Sequence, residues 1–177
     1  MGSGQDYENT PDYYLKDVNN EFEKFEGEWQ YLGVDMSMTL KLKKEEHYQP
    51  YPDTKFMDLL VGEYQYIENG VEKVNTLADF NSPQVSGYEH NLSGRGYTRF
   101  LPGYCEDNST PQEIKISLNI TKPTNDDNVI EGKLILRYIN DNGIEKLEVC
   151  IFDYSTTAYE VTDRIDMPDG YYEFVKQ

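Results

Sequence analysis

Hydrophobic and polar positions alternate with a period of two along most of the chain, and that alternation predicts strands. It begins at Phe25-Glu26-Gly27-Glu28-Trp29-Gln30-Tyr31, where Phe25, Gly27, Trp29 and Tyr31 share one face and the polar residues take the other. After a turn at Gly33-Val34-Asp35, Met36, Met38, Leu40 and Leu42 alternate with Ser37, Thr39, Lys41 and Lys43. The two segments form a hairpin. Pro50-Tyr51-Pro52-Asp53 interrupts the pattern, and a long strand over 56–68 resumes it. Asn69-Gly70 then supplies the two positive-φ positions of a type I′ turn, with a return strand over 71–77. Gly62, inside the outgoing strand, marks a bulge or a bend at a barrel corner.

The stretch 78–112 is punctuated by Pro83, Gly87, Gly94, Gly96, Pro102, Gly103 and Pro111, and predicts short strands near 88–92 and 96–101. Ile114, Ile116, Leu118 and Ile120 alternate with Lys115, Ser117, Asn119 and Thr121 in a further strand, followed by a polar turn over 122–128. Segments 129–140 and 144–152 flank Asp141-Asn142-Gly143, a second Asn-Gly hairpin. A final strand over 171–175 is entered through Pro168-Asp169-Gly170.

Ahead of the strands, Leu15, Val18, Phe22 and Phe25 fall at i, i+3, i+7 and i+10, which predicts one short N-terminal helix. Asp17 or Asn19 would be its N-cap, and Gly27 would end it. Residues 1–14 carry no period. Met1-Gly2-Ser3-Gly4 reads as an appended start and the remainder as an extended arm, with 15–177 as a single domain. Some eight to ten antiparallel strands joined by hairpins make the fold all-β, an antiparallel up-and-down β-barrel or a strongly curved meander.

Composition sharpens this picture in two respects. At 14% aromatic, with 16 Tyr and 7 Phe spread along 177 residues, the chain is folded rather than disordered. Tyrosine packs its ring while its hydroxyl reaches a polar partner, so such a chain hides more core than its hydropathy suggests. The charge, −17 from 33 acidic against 16 basic residues, argues against nucleic acid and anionic membranes as partners. No apolar run approaches the roughly 18 residues that span a bilayer.

Candidate chemistry is sparse. Cys105 and Cys150 lack zinc-ligand spacing; a disulfide between them and a buried free thiol at Cys150 both fit the sequence, and a disulfide would imply an oxidising compartment. His47 and His90 are isolated. His90, near Ser86, Ser93 and Arg95, reads as a solvated loop histidine, and neither histidine announces a nucleophile–base pair. Asn125-Asp126-Asp127-Asn128 and Asp141-Asn142-Gly143-Ile144-Glu145 offer clustered oxygens but not the twelve-residue calcium loop, so they read as turns. No catalytic residue, metal ligand or cofactor is assigned.

The helical lead-in followed by Phe25-x-Gly27-x-Trp29 resembles the helix-then-G-x-W entry of lipocalin-like (calycin) barrels, where the Trp packs at the closed end. The segments 17–31, 40–44, 60–72 and 167–177 are similar to those of DUF6705, a family of Bacteroidetes proteins with no assigned activity. The family resemblance implies a secretion leader, hence a secreted, periplasmic or cell-envelope location. The expected function is a non-catalytic binding module for a small apolar or aromatic ligand, with Trp29, Tyr31, Met38 and Leu40 facing inward to hold it. The alternative is an acidic protein-interaction or antagonist protein that binds a basic partner.

Overall fold

The computed structural model describes residues 13–99, 101–103, 105, 109–110, 113–123, 130–153 and 164–177. The expected arm lies outside these residues except for Tyr13 and Tyr14, as does most of the polar turn over 122–128. Ten strands form one sheet: β1 (Tyr14–Leu15), β2 (Gly27–Leu32), β3 (Met36–Tyr48), β4 (Phe56–Glu68), β5 (Val71–Asn75), β6 (Leu92–Thr98), β7 (Lys115–Lys122), β8 (Ile130–Asp141), β9 (Ile144–Asp153) and β10 (Gly170–Lys176). Eight of them close into an antiparallel barrel in the order β2-β3-β4-β6-β7-β8-β9-β10, with β10 returning to β2.

The hairpins follow from local backbone chemistry. Asn69 and Gly70 sit at φ 51° and 74°, and Asn142 and Gly143 at 53° and 93°, the left-handed pairs of type I′ turns. At Gly33 the backbone N–H donates to the Met36 carbonyl across the β2–β3 tip. Register is continuous through Gly62, which pairs with Leu42 on one side and Leu92 on the other. Gly62 therefore marks a bend and no bulge: a Cβ there would lie 2.0 Å from the Lys41 carbonyl oxygen. The register shifts fall elsewhere, between Glu45 and Tyr48 around His47 (φ 60°), between Tyr66 and Ile67 opposite β5, and between Ser93 and Gly96.

One edge of β4 serves three segments in turn: β1 runs parallel to Phe56–Met57, β6 pairs with 60–62, and β5 pairs with 65–68. Inward-facing residues of all eight barrel strands meet in one core that includes Trp29, Leu40, Leu60, Tyr64, Leu118, Leu136, Val149 and Phe174. A small second core lies outside the barrel wall, where Met57, Leu59 and Val61 of β4 pack with Leu15 and Tyr48. A third surrounds Cys105, Ile135 and Cys150.

Two expectations are corrected. The N-terminal segment forms only a 3₁₀ turn at Glu23–Phe25, not a helix. Asn20 adopts φ 53°, and the Asp17 carboxylate accepts the backbone N–H groups of Glu21 (3.0 Å) and Phe22 (2.9 Å), which fixes a chain of tight turns instead. Leu15 is drawn into β1, Val18 is left 82% exposed, and only Phe22 and Phe25 of the stripe are buried. The stretch 88–101 holds one strand, β6. Gly87–Glu89 is a 3₁₀ turn, its start fixed by a capping box between Ser86 and Glu89 and by the positive φ of Gly87.

Candidate functional site

The four expected ligand-facing residues form two cross-strand pairs on the inner wall: Trp29 is the register partner of Leu40, and Tyr31 of Met38. The structure brings them together, but in two different settings. Trp29, Met38 and Leu40 have no solvent exposure and lie within the filled core. Eight-stranded barrels have interiors just wide enough for such side chains. Tyr31 lies higher, edge-on to Tyr172 (5.1 Å) and tilted on Phe174 (5.9 Å).

Both ends of the barrel are covered. At the Trp29 end, Phe22 stacks on Tyr97 and Phe25 meets the edge of Tyr138, while the Trp29 indole N–H donates to the Phe25 carbonyl at 2.8 Å. At the Tyr31 end, Ile165 and Met167 join the core, and Ile165 lies so close to Gly132 that a Cβ there would sit 2.7 Å from its Cδ1. Lys122 pairs with Asp166 beside them at 3.1 Å. Tyrosines gather at this end. Burial first, then the adjacent Glu68 carboxylate, pushes the Tyr66 phenol up to about 12, and burial likewise raises Tyr64 and Tyr172.

Above this cap a groove of about 420 Å³ runs between the β2–β3 and β4–β5 hairpin tips, lined by residues of 32–37 together with Ile67, Asn69 and Gly70. The tips are tied by the Asn69 N–H, which donates to the Asp35 carbonyl at 2.7 Å. On this rim Leu32 is 71% exposed and Val34 fully exposed. The Tyr31 hydroxyl reaches the groove wall, 2.9 Å from where a Gly33 Cβ would stand. Sequence reasoning missed the groove. Its signal is the valine of the Gly33-Val34-Asp35 turn, since an exposed valine adds nothing to a turn.

The remaining candidates resolve as follows. Cys105 and Cys150 form a disulfide with Cα atoms 5.7 Å apart, pinning Cys105 to the outer face of β9, with Leu101 packed beside the bridge. His90 is not a solvated loop residue. It is buried, its Nδ1 lies 2.7 Å from Oε1 of buried Glu63, and the segment 76–91 folds over both. Asp141-Asn142-Gly143 is a turn, with the Gly143 N–H donating to the Asn140 side chain and Glu145 engaged by Tyr138 and Lys176. The Asn125–Asn128 cluster lies outside the described residues. Among the described residues, no group of three or more His, Cys, Asp or Glu is placed to hold a metal ion.

No helix is long and apolar enough to cross a membrane among the described residues. Neither a protein of curated function nor a solved structure matches the chain. A family profile does match, over residues 3–177, and its description is a family of unknown function. With that match covering nearly the whole barrel sequence, the chain belongs to the DUF6705 family.

Proposed function

We propose that this protein is a non-catalytic binding module working outside the cytoplasm, which receives a small apolar or aromatic ligand at the hairpin-tip groove. In this reading Tyr31 backs the Gly33 wall of the site, and Trp29, Met38 and Leu40 belong to the filled core of the barrel instead of to the contact surface. The observation that carries the reading is the exposure of Leu32 and Val34 around a groove of ligand size, about 420 Å³. Clefts of roughly 300–1,000 Å³ are the usual size for small-molecule sites.

A lipocalin-like ancestry fits the closed up-and-down barrel and the Trp29 side chain plugged from below by Phe22 and Phe25. The disulfide suits an oxidising compartment, which supports a secreted, periplasmic or envelope location. An acidic-antagonist role is the weaker reading, because many of the acids are spent in ion pairs dispersed over the wall, among them Glu113 and Glu148 with Arg137, Glu173 with Lys146, and Glu28 with Lys41.

The test is titration with the apolar fluorophore anilinonaphthalene sulfonate. The wild-type protein should give a saturable enhancement, which V34D and L32D abolish while the thermal midpoint moves little. An absent or non-saturating signal, or one that both variants retain, overturns the proposal.

A further inference from the structure

Glu63 lies on the outer side of β4, and the segment 76–91 crosses over it as a strap. The strap is fastened at several points. Thr76 exchanges hydrogen bonds with the Tyr64 backbone, with the Tyr64 N–H donating to Thr76 Oγ1 at 3.0 Å. Lys43 Nζ donates to the Phe80 carbonyl at 2.6 Å and stands over its ring. The Gly87 N–H donates to Glu45 Oε2 at 2.8 Å, and Tyr88 packs edge-on against Tyr48. Under the strap, the Glu63–His90 pair is fully buried on both sides at 2.7 Å.

The pair is only half satisfied. Glu63 Oε2 and His90 Nε2 are both buried and have no hydrogen-bond partner within the protein. Buried polar atoms are almost always paired, because leaving one unpaired costs on the order of 1–3 kcal/mol. Charge makes the arrangement more selective still. With one proton shared between them, the carboxyl and imidazole carry no net charge together. A second proton leaves a buried cation, and loss of the only one leaves a buried anion.

Other charged groups on the surrounding elements are committed elsewhere. On β3, Lys41 (opposite Glu63 in register) pairs with Glu28, Lys43 holds Phe80, and Glu45 accepts Gly87. On the strap, Glu89 accepts the Ser86 N–H, and Asp79 sits in the 3₁₀ turn Leu77–Asn81. On β6, the Arg95 guanidinium donates to the Leu15 carbonyl, while inside the barrel the Tyr64 phenol donates to the Thr121 carbonyl. None of these contacts the pair as an ion-pair partner.

We infer that the 76–91 strap is a proton-gated cover, held shut by the singly protonated Glu63–His90 pair and released when the pair takes up a second proton. Opening bares the outer side of β4 at Glu63, which is completely buried in the closed state. The strap thus converts acidification into an uncovered stretch of the barrel wall around Glu63, away from the hairpin-tip groove.

Hydrogen–deuterium exchange on the intact protein tests this, with rates corrected for intrinsic pH dependence and the β8–β9 amides as the internal reference. Between about pH 7.5 and about pH 4.5, the span in which imidazoles and carboxylates change charge, protection of strap amides such as Gly87 and His90 should fall about tenfold or more. Protection in β8–β9 should hold. In H90Q, which keeps an amide donor for Glu63 and cannot titrate, the strap should lose that pH dependence. E45Q, altering a strap contact outside the pair, should retain it. Uniform protection across the pH range in the wild type, equal loss in β8–β9, or unchanged dependence in H90Q overturns the inference.

Discussion

Lys176 and Trp29 are register partners across the seam between β10 and β2, and the Lys176 ammonium stands 5.2 Å from the centre of the indole. The same ammonium reaches Glu145 on β9 at 3.0 Å, so one side chain links three strands where the barrel closes. Its stem also lies against Gly27, where a Cβ would come 3.0 Å from Lys176 Cε, and Gly27 takes φ 126°. The β2–β10 ladder is short, and the side-chain contact completes it.

Removing that contact has an optical readout, because Trp29 is the only tryptophan. K176A is expected to lower stability by about 0.5–1 kcal/mol, the worth of a cation–π contact at a partly open site. Acrylamide should quench Trp29 more efficiently in the variant than in the wild type. Unaltered quenching would mean that the ammonium does not shield the indole.

A second expectation concerns the N-terminal clasp. Buried Asp58 accepts the Tyr14 hydroxyl, the Asp17 N–H at 2.8 Å and the His47 N–H at 3.3 Å, with Lys44 nearby. Burial alone would raise this carboxyl, but these donors and the ammonium hold it below the usual carboxylate range, while burial and Asp58 together push the Tyr14 phenol up to about 12. A carboxyl whose acidity is increased by folding contributes stability that is present above its ordinary pKa and lost as pH falls through its folded value. D58N should therefore cost about 1–3 kcal/mol at neutral pH. Thermal midpoints followed downward in pH should show the wild-type advantage shrinking in the acid range, and a constant gap would contradict this account.

The disulfide offers the third. It closes a loop spanning 45 positions, through β7, β8 and most of β9, and loop-closure entropy assigns about 4 kcal/mol to a ring of that size. C105S/C150A should unfold at markedly lower denaturant than the oxidised wild type, with wild type in reductant resembling the variant. Since Ile135 and Leu101 pack around the bridge, the barrel strands themselves should still form.

The barrel was legible because period-two alternation records which face of a strand is inside, and the Asn-Gly turns fix where each hairpin reverses. Met36 to Leu42 illustrates this, with every second residue entering the core. What escaped was everything lying outside the barrel wall. The run Met57, Leu59, Leu60, Val61 breaks strict alternation, which signals a strand covered on both faces, yet nothing local says that Leu15 and Tyr48 supply the outer cover. Likewise Glu63 and His90 stand 27 positions apart, and their pairing depends on a strap whose path is set by Lys43, Glu45 and Tyr48 together. The helix expected at 15–25 failed because a stripe of four apolar residues is weaker than a left-handed Asn20 and a carboxylate at Asp17 that captures the backbone first.

The pairing of β2 with β10 has a consequence for how the chain is made. Translation delivers β2 first among the barrel strands and β10 last, so a nascent chain carries an unzipped sheet with one raw margin until β10 has emerged. During that interval Trp29 has no Lys176 above it, and the margin of β2 is open to pairing with a neighbouring chain. Production of this protein in quantity should depend on dilution or a holdase acting until β10 has paired.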